Sequence, residues 1–365
     1  MAPDVASIER LAEEPLAVDP GAIEDEFNRI WRDTAAEGYD SSSVRLRVLN
    51  LVAVGRGDEA VAAFDAAMEV LPQRHPCRGI LALIDESTPR LASSIGARCW
   101  RSPAGGRHVC SEEVHLRAPA AQHQELASAV LALLVPDLVV AAWLIGVAPD
   151  DELAADVLDA ADRVFLDSAR LGDPPSALQA IAAVARKHEV EPTDFAWGRT
   201  AGWRELVAQF FDGDDGLAQL RRIDTVEITC ATPRLTSEAM LVAGWLVSRL
   251  GLSLADLSCA PDRVEATLYE RTRGVTLHVR AAPGGPPLPL QHVRITTPEA
   301  TRSLELHAES GHLHVRERWA DGEARRTVQA TPEDDASVLN RSLDALGEPD
   351  VYAEARRAAL ALLGG

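Results

Sequence analysis

Histidines and cysteines in the first third of the chain are the residues best suited to metal or thiol chemistry. The set comprises His75, Cys77, Cys99, His108, Cys110 and His115. Thiolates and imidazoles are the ligands of structural zinc, although the spacing here differs from that of a zinc ribbon. Cysteines on neighbouring strands could instead form a redox-active pair or pack as small apolar residues, which is the commoner outcome. Cys77, Cys99 and Cys110 are therefore candidate redox residues, with zinc binding and inert packing as alternatives, and no metal site is predicted.

A glycine-containing turn from Gly55 to Ala60 formally matches the G-x-G-x-x-(G/A) fingerprint of dinucleotide-binding domains. An apolar strand precedes it, a helical pattern follows it, and Asp85 ends the next strand, where a ribose hydroxyl could be bound. Asp58 and Glu59, however, place two negative charges in the first helical turn, where a pyrophosphate needs bare amides. The sequence favours a tight acidic turn without a cofactor, and an NAD(P)-binding enzyme that uses this turn is the alternative.

No catalytic constellation stands out in the sequence. It shows no nucleophile beside its base, no P-loop lysine and no spaced carboxylates in a glycine-rich setting. Ser111, Glu112 and Glu113 fall on a strand, where solvated carboxylates are expected rather than an acid–base pair. Arg74 and Arg78 flank a His-Pro-Cys segment and are the best candidates for binding an anion. We therefore predict a protein that is not an enzyme.

A helix is expected within residues 194–212, DFAWGRTAGWRELVAQFFD, in a chain where only 4% of the residues are aromatic. Thr200 can cap this helix. One helical face is apolar at positions i, i+3, i+4 and i+7. That face comprises Trp203, Leu206, Val207 and Phe210. We expect it to be buried.

The same stretch supplies the candidate partner-binding residues. Trp197 and Arg199 fall on an irregular approach to the helix, where side chains are free to meet something other than their own core. Arg204 and Glu205 turn outward from the helix. Tryptophan and arginine are the residue types most enriched among interface hot spots, so we predict that these four side chains bind a partner protein. The alternative is a structural role, in which Trp197 packs under a domain boundary and Arg199 pairs with an acid such as Asp194.

This stretch resembles the OpcA family, whose members carry a D-(L/F)-x-W-x-R-x-T-P-W-R-E-L segment near mid-chain. The matching residues are Asp194, Trp197, Arg199, Trp203, Arg204, Glu205 and Leu206. Further blocks in the family's order lie at residues 47–54, 74–83, 109–116, 136–146, 161–168 and 241–251. The resemblance covers residues 44 to 252. Gly202 stands where a helix-starting proline is expected, and Leu144 where a second tryptophan is expected.

The resemblance implies a partner protein rather than an enzyme. OpcA proteins are glucose-6-phosphate dehydrogenase assembly proteins, so the implied partner is glucose-6-phosphate dehydrogenase of the oxidative pentose phosphate pathway. The chain would promote the assembly or activity of that enzyme. Assembly proteins of this kind have been linked to thiol redox control in some lineages, and the resemblance does not say which cysteines respond.

Composition limits the classes of partner and compartment. The formal net charge of −20 argues against nucleic acid or anionic lipid, because phosphate binding depends on lysine and arginine. No uncharged apolar run approaches the length of about 18 residues that a membrane span needs, and the N-terminus has no secretory signal pattern. A cytoplasmic protein with no membrane partner is expected. The five cysteines, an odd number, indicate reduced thiols rather than a disulfide framework.

A length of 365 residues suggests two domains. Residues 1–43 are expected to form an acidic arm with an amphipathic helix at 19–37. In residues 44–192, apolar strands alternate with helical patterns. This alternation predicts a three-layer α/β domain whose strands are buried on both faces.

Residues 193–365 are expected to form an α+β domain that begins with the helix of the central stretch. Alternating segments between 263 and 330, separated by turn residues, predict an antiparallel meander. Its period-two pattern indicates one solvated face and one face covered by helices at 235–250, 333–346 and 351–363. The predicted fold class is thus α/β, with a three-layer domain followed by an α+β domain that has a meander and flanking helices.

Overall fold

The computed structural model describes most of the chain. The described residues are 8–11, 19–36, 44–45, 47–101, 108–212, 216–284, 287–298, 301–330, 334–344 and 349–365.

Two compact units make up the fold. The first comprises Met1–Asp167, Ala183–Thr193 and Asp334–Leu346. The second comprises Ser168–Ala182, Asp194–Glu333 and Gly347–Gly365. The division into 1–43, 44–192 and 193–365 stays a prediction, and the two compact units differ from it chiefly in residues 168–182 and 334–346.

The chain up to residue 194 contains nine strands and five α-helices among the described residues. In order they are β1 (Ile8–Leu11), α1 (Pro20–Ala36), β2 (Val44–Arg45), β3 (Leu49–Arg56), α2 (Gly57–Val70), β4 (Cys77–Ile84), β5 (Ala92–Arg101), β6 (His108–Ala118), α3 (His123–Ala132), β7 (Val139–Ile145), α4 (Glu152–Leu158), β8 (Arg163–Leu166), α5 (Pro174–His188) and β9 (Thr193–Asp194). The strands form one sheet in the order β1-β5-β6-β4-β3-β7-β8-β9, with β2 beside β6.

The centre of this sheet is parallel and apolar. Strand β3 pairs in parallel with β4 on one side and with β7 on the other. Every residue of β4 is buried, so both faces of the strand are covered. Helices α2, α3 and α4 supply this cover, because each contacts central strands. The three-layer α/β architecture is thereby confirmed, and it follows from strands without polar alternation.

Helix α1 packs on the first unit through its apolar face. Ile23 and Phe27 are fully buried. The carboxylate of Glu24, on the same helix, accepts a hydrogen bond from the buried guanidinium of Arg78. That guanidinium also lies 5.3 Å from the centre of the Phe27 ring. The amphipathic helix is confirmed, and it is attached to the unit by apolar packing and by the ion pair between Glu24 and Arg78.

The rest of the chain contains eight strands and six α-helices among the described residues. In order they are α6 (Phe195–Arg199), α7 (Ala201–Phe210), α8 (Gly216–Leu220), β10 (Thr225–Cys230), α9 (Ser237–Arg249), β11 (Ser253–Ala260), β12 (Arg263–Glu270), β13 (Arg273–Ala281), β14 (His292–Thr296), β15 (Arg302–Glu309), β16 (His312–Trp319), β17 (Gly322–Gln329), α10 (Asp335–Asp344) and α11 (Pro349–Leu362). The strands form a second sheet in the order β11-β12-β13-β10-β14-β15-β16-β17.

One face of the second sheet is apolar and the other is polar. Val226 and Ile228 of β10 are buried, whereas Thr225 and Glu227, which alternate with them, are partly exposed. On the polar face, some residues in register on adjacent strands carry opposite charges. Arg294, for example, forms an ion pair with Glu227 at 3.6 Å. The predicted alternation between a covered face and a solvated face is confirmed.

Helices α9 and α11 pack closely against each other in the second unit. A Cβ atom at Gly244 of α9 would lie 2.1 Å from the carbonyl oxygen of Ala355 and 3.0 Å from the Cβ atom of Ala359. The absence of a side chain at Gly244 therefore sets the helix spacing.

The predicted meander is interrupted by strand β10. It pairs in parallel with β13 and antiparallel with β14, so it separates two hairpin-connected halves. Strand β11 was missed in the sequence. Six of its eight residues are exposed, so it lacks the alternating pattern of a half-buried strand.

The sequence predicted that helix α10 covers the second sheet, and this prediction is wrong. Its buried Val338 and Leu339 belong to the first unit, where the helix packs against α2. Asp344 at its end forms an ion pair with Arg74 at 2.7 Å, and its carboxylate lies 3.0 Å from the Nε2 of His75. An apolar helical face shows that a helix is buried but not against which partner, and here a distant helix is the partner.

No helix within the described ranges combines the length and apolar character that crossing a membrane requires.

Candidate functional site

Helices α6 and α7 carry the predicted partner-binding residues. Helix α7 buries the expected apolar face. That face comprises Trp203, Leu206, Val207 and Phe210. Trp203 is 8% exposed, which confirms the helical phase. The segment before it was predicted to be irregular. It is helical instead, because Trp197 and Arg199 lie in the short helix α6.

Thr200 lies between the two helices and does not cap α7 with its side chain. Its hydroxyl donates a hydrogen bond backwards to the carbonyl of Trp197, at 2.8 Å. The same oxygen accepts one from the Nε of Arg204, at 3.2 Å. The expected cap is therefore wrong. Instead, Thr200 links the end of α6 to the outward face of α7.

Trp197 contacts both a cation and an aromatic ring. The guanidinium of Arg204 lies 3.4 Å from the centre of the Trp197 ring, within the range of a cation–π contact. The ring of Tyr352 lies 5.7 Å away, tilted by 50°. Arg204 also donates to the carbonyl of Trp197 at 3.3 Å. These contacts hold the indole and the guanidinium in one fixed arrangement.

Asp194 organises the start of helix α6 from a buried position. Its carboxylate accepts hydrogen bonds from the amides of Ala196 and Ser168, each at 3.0 Å. The hydroxyl of Tyr352 donates to its second oxygen, also at 3.0 Å. A buried carboxylate needs such donors. Asp194 therefore fixes the indole of Trp197 indirectly, through both helix α6 and Tyr352.

Arg199 forms an ion pair with Glu238 in the first turn of α9. The Nη2 and Nε atoms of Arg199 donate to the same carboxylate oxygen, at 2.9 and 3.2 Å. The Glu238 side chain is only 3% exposed, whereas that of Arg199 is 21% exposed. Arg199 therefore connects helix α6 to helix α9 through this ion pair.

The surface of this region is formed by Trp197, Arg204 and Glu205, which we name the Trp197 patch. Glu205 is exposed, and Trp197 and Arg204 are partly exposed. The carboxylate of Glu205 accepts a hydrogen bond from the Nε2 of Gln209 at 3.0 Å. An aromatic ring and a guanidinium held in one geometry lose little entropy on binding, which is the character of an interface hot spot.

Sequence patterns did not indicate the roles of two residues of this cluster, Glu238 and Tyr352. Glu238 lies in the first turn of a helix, where an acid is expected for its interaction with the helix dipole, so nothing in the pattern indicated a buried ion pair. Tyr352 lies far along the chain, in α11. A tyrosine on the apolar face of an amphipathic helix is a weak signal for a buried hydroxyl that needs a partner.

The zinc hypothesis gains no geometric basis from the described residues. They contain no group of three or more histidine, cysteine or acidic side chains that could hold a metal ion. His75 faces Asp344, and His115 packs edge-on against Phe64 with ring centres 5.3 Å apart. The side chains of Cys99 and His108 lie outside the described residues.

The cysteines differ in their chemical state. Cys77 is a buried free thiol, and burial raises its pKa far above the usual range. Cys110 is disulfide-bonded, and the residue opposite it on β5 is Cys99. The disulfide at Cys110 differs from the expectation of reduced thiols. That expectation rested on an odd cysteine count, which does not reveal two cysteines in register on adjacent strands.

The turn from Gly55 to Ala60 does not fit a dinucleotide. Asp58 and Glu59 are both exposed in the first turn of α2. Asp85 is engaged in its own turn, because its carboxylate accepts hydrogen bonds from the amide and hydroxyl of Ser87, which lower its pKa. Acids therefore occupy the first helical turn, where a pyrophosphate would bind, and the carboxylate that would face a ribose is already hydrogen-bonded within its own turn.

Glycine serves close packing in this turn rather than phosphate binding. A Cβ atom at Gly55 would lie 2.3 Å from the Cβ atom of Ala60, so the strand and helix meet there. Gly57 has a φ of +68°, which suits glycine at the abrupt start of the helix. Arg56 between them forms an ion pair with Asp151 at 2.6 Å.

The predicted anion-binding arginines already have carboxylate partners. Arg78 is 1% exposed and donates to Glu112 at 2.7 Å. Glu112 is itself fully buried and also accepts from Arg47 at 3.2 Å. The prediction of solvated carboxylates is wrong for Glu112, because it faces inward in β6 toward these cations. Glu113 is also buried and pairs with Arg98 at 3.0 Å.

Comparison with protein families finds matches in both halves of the chain. Residues 68–183 match the sequence model for the N-terminal domain of the glucose-6-phosphate dehydrogenase subunit. Residues 190–356 match the model for the C-terminal domain of the same subunit. The two matches follow one another in the order of the domain names and cover most of the chain.

Two curated relatives are named OpcA. The chain is 28% identical over 202 residues to the OxPP cycle protein OpcA of Nostoc punctiforme, covering 53% of this chain and 43% of that protein. It is 24% identical over 315 residues to the OpcA protein of Synechocystis sp., covering 81% of this chain and 65% of that protein. The chain thus spans less than two thirds of the length of these two relatives.

Among solved structures, the fold is similar to that of the oxidoreductase yvaA of Bacillus subtilis. The TM-score is 0.50 with 9% sequence identity, and the match covers 88% of this chain and 97% of that one. At this identity the likeness concerns the fold alone.

Proposed function

The chain belongs to the OpcA family, and we propose that it is a cytoplasmic, non-catalytic assembly factor that activates glucose-6-phosphate dehydrogenase by binding to it. The observation that carries this proposal is the pair of family matches, at residues 68–183 and 190–356, to domains named for that dehydrogenase. The described residues support a non-catalytic role, because the glycine turn presents acids where a dinucleotide would bind.

The physical mechanism we propose is a population shift. A protein that binds the active state of an enzyme more tightly than the inactive state raises the active population by the ratio of the two affinities. A coupling of about 1–3 kcal/mol, typical of such systems, would change activity about 5- to 150-fold. No chemistry by the assembly factor itself is required.

We propose that the dehydrogenase binds the Trp197 patch. The guanidinium of Arg204 is fixed against the indole of Trp197, at 3.4 Å from its centre, and Glu205, the next residue along α7, is exposed. Arg199 belongs to the same predicted set. Its ion pair with Glu238 gives it the role of holding α6 against α9, so we expect it to act on binding through stability.

Calorimetric titration of the purified dehydrogenase with this chain tests the association. We expect saturable binding by the wild type, weakened by Arg204→Ala in a variant that melts like the wild type. Arg222→Ala, at an exposed arginine of the second unit, is the matched control and should bind normally. Absence of heat and of a co-eluting complex would overturn the proposal.

The alternative is an NAD(P)-binding enzyme that uses the turn from Gly55 to Ala60. Titration of the isolated chain with NADP and with NAD distinguishes the two functions. The acids at Asp58 and Glu59 lead us to expect no saturable signal. Clear micromolar binding would replace the assembly role with the enzymatic one.

A further inference from the structure

The second unit contains a cavity of about 630 Å³ that the proposed function does not use. This volume lies within the range of about 300–1,000 Å³ that small-molecule sites occupy. Four segments of the chain line the cavity. They are the start of α5, the loop before α9, the end of β11 and the end of α11.

The cavity walls are largely apolar and rigid. Pro174, Pro175 and Pro261 supply three ring surfaces whose backbone φ angles are fixed. Leu235 and Leu363 add two buried or partly buried aliphatic side chains. The amide of Leu235 donates to the carbonyl of Pro261 at 3.0 Å, which ties two walls together. A preformed apolar wall of this kind costs little entropy when a ligand binds.

The cavity lining contains one acid and one cation. The carboxylate of Asp173 accepts hydrogen bonds from the amide and hydroxyl of Ser176, at 3.1 and 3.2 Å, at the start of α5. Arg234 is an exposed residue of the lining, and its guanidinium forms no ion pair with any residue that the structure describes. The cavity thus has one acid held by its own helix and one cation open to a ligand.

We propose that this cavity binds a small organic anion with an apolar body. The anionic group, a carboxylate or sulfonate, pairs with Arg234, and the apolar body lies against Pro174, Leu235 and Pro261. Arginine suits this task because its guanidinium can donate two hydrogen bonds to one planar anionic group. Cys259, an exposed free thiol in the cavity wall, serves as a built-in reporter of occupancy. This inference is independent of the proposed function.

The probe for the test is 8-anilinonaphthalene-1-sulfonate, which joins an aromatic body to an anionic group. Fluorescence titration of the full chain should show one saturable site. Arg234→Glu should weaken binding by about tenfold or more, the factor expected when an attractive contact becomes repulsive. Ala260→Trp, which places a large side chain in the cavity wall, should weaken binding. Arg222→Glu makes the same change of charge at another exposed arginine and should leave the titration unchanged.

A second readout guards against variants that fold poorly. In the wild type, saturating probe should slow the reaction of Cys259 with N-ethylmaleimide, measured by mass spectrometry of the labelled peptide. Unchanged labelling would overturn the proposal. It is equally overturned if the probe shows no saturable site, or binds Arg234→Glu and Arg222→Glu alike while both variants melt like the wild type.

Discussion

Replacing Arg199 by alanine removes the cation that faces the buried carboxylate of Glu238. The wild-type contact includes two hydrogen bonds, at 2.9 and 3.2 Å, to one carboxylate oxygen. The Glu238 side chain is 3% exposed, so water cannot readily replace the lost donors. We therefore expect Arg199→Ala to destabilise the second unit rather than to act only on a binding surface.

The magnitude follows from the burial of the two partners. Removing one member of a buried ion pair costs about 3–5 kcal/mol, because the other charge stays buried without it. Because the Arg199 side chain is 21% exposed, we expect the free energy of unfolding to fall by about 3 kcal/mol, at the lower end of that range. For domains of about 150–250 residues, each kcal/mol shifts the melting temperature by about 2–4 °C, so a decrease of roughly 6–12 °C is expected.

A double-mutant cycle in calorimetric melts measures this pair. Glu238→Gln keeps the shape of the side chain and removes its charge. The variant with both changes should lose clearly less stability than the sum of the two single variants, because the contact can be lost only once. Arg222→Ala, at an exposed arginine, should melt like the wild type. A melting temperature of Arg199→Ala within about 1 °C of the wild type would refute this reasoning.

The remaining predictions concern the same region and the thiols. Trp203→Ala should destabilise the chain by about 3–5 kcal/mol in denaturant titrations, because its side chain is 8% exposed on the buried face of α7; a loss below about 1 kcal/mol would place Trp203 on the surface. Arg204→Ala should change stability by less than about 1 kcal/mol but weaken dehydrogenase binding by about 2 kcal/mol, measured by calorimetry; equal affinity would move the interface elsewhere. In the native protein, Cys77 should resist alkylation while Cys259 reacts, because burial raises the pKa of the Cys77 thiol. Rapid labelling of Cys77, read by mass spectrometry, would contradict this. So would a Cys77→Ser variant whose activation of the dehydrogenase no longer changes on mild oxidation while that of the wild type does.

Much of the first unit could be predicted because its signals are local. The consecutive buried residues of β3 and β4 read as continuous apolar runs, and α2 between them completes a β-α-β unit. The burial of the α7 face also followed from spacing alone, since four apolar residues at helical intervals admit one buried side.

What could not be predicted depends on contacts between distant parts of the chain. Strand β10 lies between β13 and β14, and no pattern within β10 specifies either neighbour. Helix α10 has an apolar face that two different surfaces could bury. Strand β11 has no alternation because it is an exposed edge.

The candidate site shows the same limit at the level of single residues. The types of Trp197 and Arg204 indicated an interface, but their stacking on each other depends on the turn at Thr200. The partner of Arg199 was equally hidden, because Glu238 resembles an ordinary acid in a first helical turn. Residue type identified the region, and only the packing separated its structural members from its exposed ones.

The most direct test of the proposed function is the rate of glucose-6-phosphate dehydrogenase, measured while this chain is added over a concentration series that spans tight and weak binding. A population shift predicts a saturable increase in turnover, or a lower substrate requirement, with no activity from the chain alone. The Arg204→Ala variant should need a higher concentration for the same effect. Unchanged kinetics across the whole series would contradict the proposal that the chain activates the dehydrogenase.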